Sequence, residues 1–217
     1  FAHVDLARVQ DNCAFALAHV DKWKRASYGT GETSPYIVID MVRYWKPDRD
    51  RPIDFSDVRD FIIALKRRGF NIVQVTFDRW NADIIRRDLE SAGIKTDRLS
   101  VGTDHYSELA LAMTQNMMEG PQVEPLIKEL KKLIVDDKGR VDHTNKSSKD
   151  LSDAVCGAFY DAAMLTDNDS QEIEIVTMAD IIAERREIGR ADTKNLIQVP
   201  KSMPQELKSW LDGMRLL

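Results

Sequence analysis

The first 45 residues alternate or block their apolar positions as strands do, and the period then changes. AHVDLA (residues 2–7) is a short apolar strand containing Asp5. After the polar turn RVQDN, CAFALAHV (13–20) predicts a second strand. Lys22 to Pro35 reads as loop, and PYIVIDMVRYW (35–45), rich in Ile, Val and Tyr, as a third strand. Three successive strands with short or moderate links predict an antiparallel meander. From Asp54 to Arg68 the apolar positions Phe55, Val58, Ile62 and Leu65 fall at helical spacing, with Asp54 as N-cap and Gly69 as the stop. NIVQVTF follows as a buried strand ending at Asp78. A second helix spans residues 81–92, with Ile84, Ile85 and Leu89 on one face and Gly93 behind it, and IKTDRLSV is a further strand. Strand, helix, strand, helix, strand at this spacing implies right-handed crossovers and parallel pairing.

Downstream, Tyr106–Glu119 and Glu124–Val135 read as helices, and DDKGRVD as a tight turn bent at Gly139. SSKDLSDAVCGAFYDAAM is a strong helix, capped by Ser147 or Ser148. Leu151, Val155 and Phe159 form its apolar face, while Ala154, Gly157 and Ala158 keep the adjacent face small enough for close approach to a sheet. The expected architecture is α/β: a mixed five-stranded sheet, a three-strand meander plus parallel strands, with helices on both faces. Residues 1–165 form this domain, and 166–217 a more polar helical extension.

Composition bounds the class. The 217 residues are 43% apolar and 31% charged, with 10 Gly and 7 Pro, an ordinary globular profile. No apolar run approaches the roughly 20 residues of a membrane span, and FAHVDLARV carries a charge where a signal peptide is apolar. Cys13 and Cys156 lie too far apart for zinc spacing and make no disulfide framework, so a reducing, cytoplasmic setting is expected. The net charge of −5, from 31 basic and 36 acidic residues, argues by itself against a nucleic-acid partner.

The candidate chemistry is carboxylate chemistry. Asp5 sits among apolar strand neighbours, where a carboxylate is costly to desolvate unless it is used or turned outward. Asp78 ends a buried strand and reads either as a helix N-cap or as a strand-end ligand. Asp150 and Asp153, three apart, share a face near the start of the last helix, where favourable helix-dipole charge would also put them. Parallel strands expose their carboxyl ends at one edge, where ligands gather. Four carboxylates brought together there repel unless a cation neutralises them. A set with no cysteine, and no histidine at ligand spacing, suits a hard ion, Mg²⁺ or Mn²⁺. Two such ions about 3.5–4 Å apart would activate water and stabilise the leaving oxygen of a phosphodiester.

The segments HVDLA, VTFDRW, KGRVDH and SSKDLSDAVCGAFYDA resemble the nuclease domain of bacteriophage terminase large subunits, over Phe1 to about Met164. That resemblance implies the ribonuclease-H-like fold and a two-metal site. It places the metal-binding roles on Asp5, Asp78 and the Asp150/Asp153 pair, without deciding which of the pair is the direct ligand. It implies an endonuclease that cuts concatemeric viral DNA during genome packaging in the host cytoplasm. The partners it implies are double-stranded DNA and, in the full-length protein, an ATPase domain, a portal and a small terminase subunit. An ATPase would need a GxxxxGK[ST] phosphate loop; the nearest stretch here, YGTGETS, lacks the lysine and reads as loop. As a separate domain the chain is expected to be a monomer.

Arg79, Lys149, His143, Lys46 and Arg49 are candidate DNA contacts, as are the runs KWKR (22–25), KPDRDR (46–51) and KRR (66–68). For Trp80 packing is the expectation, for His143 a turn-stabilising role competes, and Asp40 is read as turned to solvent. Two alternatives to the packaging nuclease are a Holliday-junction-type resolvase and a non-catalytic docking domain for DNA or portal. An actin-like nucleotide-binding domain would want a glycine after the first strand, and RVQDN has none. The acidic balance is partly the site itself, because the four aspartates would be neutralised by two divalent ions.

Overall fold

The computed structural model describes residues 1–6, 12–25, 33–48, 52–78, 82–144 and 148–165. In chain order the elements are β1 (Ala2–Asp5), β2 (Cys13–Arg25), β3 (Thr33–Trp45), α1 (Phe55–Arg67), β4 (Gln74–Phe77), α2 (Asp83–Ser91) and β5 (Lys95–Arg98). There follow α3 (Thr103–Thr114), β6 (Met118–Glu119), α4 (Glu124–Leu130), β7 (Leu133–Val135), β8 (Val141–His143) and α5 (Asp150–Leu165).

The main sheet has the order β5-β4-β1-β2-β3-β6. β1, β2 and β3 form the expected antiparallel meander, and β4 and β5 add to β1 in parallel. The mixed α/β architecture expected from the sequence is therefore present. A sixth strand extends it: β6 lies parallel to β3, Met118 opposite Ile37. These residues were expected to be helical. The helix stops earlier because Asn116 turns left-handed (φ 55), sending the Met117 N–H back to the Ala112 carbonyl at 2.8 Å in a Schellman closure.

Three further boundaries differ from expectation. α4 ends at Leu130, and Leu133–Val135 pairs with Val141–His143 in a separate hairpin. Its turn is held by Asp136, which accepts from the Lys138 and Arg140 backbone N–H groups, with Gly139 at φ 75. β2 and β3 also run into the stretch read as loop, with Lys24 placed 3.3 Å over the Tyr36 ring. Ile84 is 73% exposed, while Ile85 and Leu89 are buried. The first helix begins as expected, with the Asp54 carboxylate accepting from the Ser56 N–H at 2.9 Å.

The core lies in two layers, one on each side of the sheet. Ala2, Val4, Phe15, Leu17, Val75 and Phe77 pack against Val58, Ile62 and Leu65 of α1 and Ile85 and Leu89 of α2. On the other side Ala14, Ala16, Ala18, Ile37 and Ile39 meet Leu151, Val155 and Phe159 of α5 and Tyr106 and Leu109 of α3. Small residues on both β2 and α5 let that helix sit low. At Gly157 an added Cβ would stand 2.3 Å from Cγ of His3, so only glycine fits there.

Candidate functional site

Strand parity builds the site. The β1–β4 register pairs Ala2 with Val75, His3 with Thr76 and Val4 with Phe77. One step further, Asp5 and Asp78 stand side by side at the carboxyl ends of neighbouring parallel strands. Ala2, Val4, Val75 and Phe77 face α1 and α2. Alternation therefore turns His3, Asp5, Thr76 and Asp78 toward α5. On α5, Asp150, Asp153, Gly157 and Asp161 follow one another at spacings of three and four, a single stripe. With Gly157 against His3, the helix carries Asp153 toward Asp5 and Asp78.

The local contacts agree. Asp5, Asp150 and Asp153 are buried, at 7%, 7% and 8% exposure, and Asp78 is half-buried. The Tyr106 hydroxyl donates to Asp153 Oδ1 at 2.7 Å, and the Lys149 ammonium donates to Oδ2 at 2.6 Å. Burial raises the Asp153 carboxyl above the usual range. The Lys149 charge and these hydrogen bonds oppose that rise, and the Asp78 charge adds to it. Burial pulls the Lys149 ammonium down, but the charges of Asp153, Asp5 and Asp78 outweigh it and its net shift is upward. One lysine thus sits in the common field of three carboxylates.

The two aspartates of the last helix have different neighbours. Asp150 Oδ2 accepts from the Asn12 backbone N–H at 3.0 Å and its side-chain Nδ2 at 3.2 Å, tying the start of β2 to the start of α5. Asp78 is not the N-cap of α2, whose cap position is Ala82 and has no side-chain cap bond. Nor does Ser148 cap α5 directly. Its hydroxyl donates to Glu129 at 2.8 Å, and the Glu129 carboxylate accepts from the Ser152 N–H at 3.0 Å. Glu129 comes from α4 and is 6% exposed. Nothing in a run of surface-like helix residues marks it as a cap.

Other sequence candidates fall elsewhere. His143 lies on β8, with Nδ1 3.0 Å from the Thr144 carbonyl oxygen, a turn contact. Asp40 is exposed and pairs with His19 at 2.8 Å across β2 and β3. Lys66 donates to the Ala92 and Gly93 carbonyls behind α2, so it serves packing. Lys46 is the exception: just past the carboxyl end of β3, it lies at the aspartate end of the sheet, exposed beside the Tyr44 ring. Arg49, Arg79, Trp80, Ser147 and the extension 166–217 lie outside the described residues.

One polar group escaped the sequence reading. His3 is fully buried, with Nδ1 2.7 Å from Thr76 Oγ1, and the Thr76 hydroxyl donates to Asp161 Oδ2 at 2.5 Å. Thr76 gives its proton to Asp161, so it accepts one from His3 Nδ1–H, and Nε2 is left an acceptor with no partner among the described residues. Burial holds His3 down to about 3 and pushes Asp161 up to about 6. The available signal was parity: His3 and Thr76 each stand two residues before a site aspartate.

The donor set is all carboxylate oxygen, which suits a hard divalent cation. Among the described residues, however, no three His, Cys, Asp or Glu side chains already converge as a ligand set. The Lys149 ammonium holds Asp153 at 2.6 Å.

No family model matches the sequence, and no curated protein matches it. The sheet order and the placement of α5 are those of the ribonuclease-H-like fold. Solved structures make that more particular. The chain is similar to the large terminase nuclease from thermophilic phage G20c, at TM-score 0.54 and 19% identity, over 72% of this chain and 78% of that one. It is also similar to the HK97 bacteriophage large terminase, at TM-score 0.53 and 16% identity, spanning 38% of that protein. A structure of the G20c nuclease with bound cobalt aligns at TM-score 0.48. The fold of this chain is thus that of phage large-terminase nucleases.

Proposed function

We propose that this chain is the nuclease domain of a phage large terminase, a metal-dependent endonuclease that cuts concatemeric DNA during genome packaging. The observation that carries the reading is the β1–β4 register, which brings Asp5 beside Asp78 under Asp153, on a terminase nuclease fold. Asp5, Asp78 and Asp153 would hold the cations, Mg²⁺ or Mn²⁺, with Asp150 bracing the helix start through Asn12. Bound there, two divalent ions supply Lewis acidity at the phosphate and a nucleophile from water at neutral pH. The chain's own residues do the positioning. Tyr106 fixes the rotamer of Asp153, and Lys149 offsets part of the carboxylate charge. β1 and β4 fix the spacing of Asp5 and Asp78 through the backbone ladder.

The substrate in this reading is double-stranded DNA, and the full-length protein adds an ATPase domain and works with portal and small subunit in the host cytoplasm. The likeness to terminases favours this over a junction resolvase. Among the described residues no helix is long and apolar enough to cross a membrane. Nicking of supercoiled plasmid in Mn²⁺ or Mg²⁺ tests the reading. Asp78→Ala is expected to lose about 1,000-fold or more, several kcal/mol of transition-state stabilisation. Cleavage that survives the substitution in a folded protein sinks the site.

A further inference from the structure

Two grooves open at the end of the sheet where the aspartates lie, and their described lining residues differ in charge. The carboxyl ends of β1, β3 and β4 and the amino end of β2 share that end of the sheet. On the α5 side, a groove of about 250 Å³ is lined by Asn12, Tyr44, Lys46, Lys128, Lys132 and Ser148, among others. On the α1 side, a larger groove of about 680 Å³ is lined by Lys46 with Asp48, Asp54 and Asp57. Lys46 stands on the rim of both.

The basic groove is continuous with the aspartates through one residue, Asn12, which lines it and donates both its N–H groups to Asp150. Its acidic residue, Glu129, is turned inward to Ser148 and the start of α5. Lys128 pairs at 2.7 Å with Glu124, an exposed partner that a phosphate can displace. Lys46, Lys128 and Lys132 give the groove on the α5 side the charge that a polyanion needs.

We infer that the Lys46–Lys128–Lys132 groove is the track for the sugar–phosphate backbone of duplex DNA as it enters the aspartate site, so that α4 and the turn after it carry phosphate contacts that no sequence motif announces. This inference rests on the nuclease reading above and adds the path of its substrate. The contacts are positioning contacts, blind to base sequence.

The test is fluorescence anisotropy of the full chain with a labelled duplex in Ca²⁺, across a salt series. The Lys128→Ala/Lys132→Ala double variant is compared with Arg87→Ala/Lys95→Ala, an equal charge loss at exposed positions on α2 and the β5 edge strand. Losing two phosphate contacts is expected to weaken binding on the order of 60-fold at about 0.1 M salt and to lower the salt slope by about 1.8. The control pair is expected to stay within about twofold, as charges beyond the contact are screened. Wild-type binding that is unchanged in Lys128→Ala/Lys132→Ala, or equally weakened in the control pair, overturns the groove and leaves the nuclease reading standing. Absence of any wild-type binding overturns both.

Discussion

Strands β1 and β4 turn Ala2, Val4, Val75 and Phe77 toward α1 and α2, every one of them at 0% exposure. The same strands turn His3, Asp5, Thr76 and Asp78 toward α5. One face is all hydrocarbon and holds the sheet; the other is a row of polar groups that must be satisfied one by one. His3, Thr76 and Asp161 satisfy most of their needs among themselves, and Asp153 leans on Tyr106 and Lys149. The single-residue step of a strand is what lets stability and chemistry stand back to back.

Neighbouring residues can break that division. Phe77→Ala, on the apolar face, is expected to cost about 3–5 kcal/mol in urea denaturation. Asp78→Asn, one residue on, is expected to leave unfolding free energy within about 0.5 kcal/mol, because it removes a charge that repels Asp153. If Asp78→Asn destabilises as Phe77→Ala does, the faces are not divided as described.

Gly157→Ala probes how the polar face is set. Its Cβ would meet the His3 ring, so a loss of about 1–3 kcal/mol is expected, together with weaker divalent-metal binding as α5 lifts. Adding His3→Ala should restore part of both in a double-mutant cycle. No recovery would mean that the helix height is set elsewhere.

The smallest effect has opposing signs. His3, held at about 3 in the fold against an ordinary 6.5, leaves the folded state with fewer protons than the unfolded one below pH 6.5. Stability from His3 is therefore lost on acidification, about 2 kcal/mol between pH 6.5 and 5. Asp161, raised to about 6 from 3.8, binds a proton in the fold first and returns about 1 kcal/mol over the same range. His3→Gln should turn the acid loss into a small gain, and Asp161→Asn should deepen the loss. Urea titrations at the two pH values read both.

The meander, the parallel strands and the last helix were legible because their apolar periods are clean, and the four aspartates because each interrupts such a pattern at an element end. Features set by tertiary contact were not. β6 is two residues long and exists because Asn116 reverses the chain beside β3. Ile134 and Val135 continue a helical pattern but pair with β8 instead. Glu129 caps a helix 21 residues downstream of itself, a relation no local motif encodes. The distinction between Asp150 and Asp153 also needed neighbours: Asn12 for one, Tyr106 and Lys149 for the other.

The central claim is that cations bind at the strand ends, under Asp153, and not simply along an acidic helix face. Calorimetric titration of Mn²⁺ into four proteins tests it directly: wild type, Asp78→Asn, Asp153→Asn and Asp161→Asn. Asp161 lies on the same stripe of α5 and in the same polar layer, but beside Thr76 rather than at the strand ends. The account predicts that Asp78→Asn and Asp153→Asn each lose Mn²⁺ binding while Asp161→Asn keeps it. Binding retained in Asp153→Asn, or lost in Asp161→Asn with the fold intact, would contradict it.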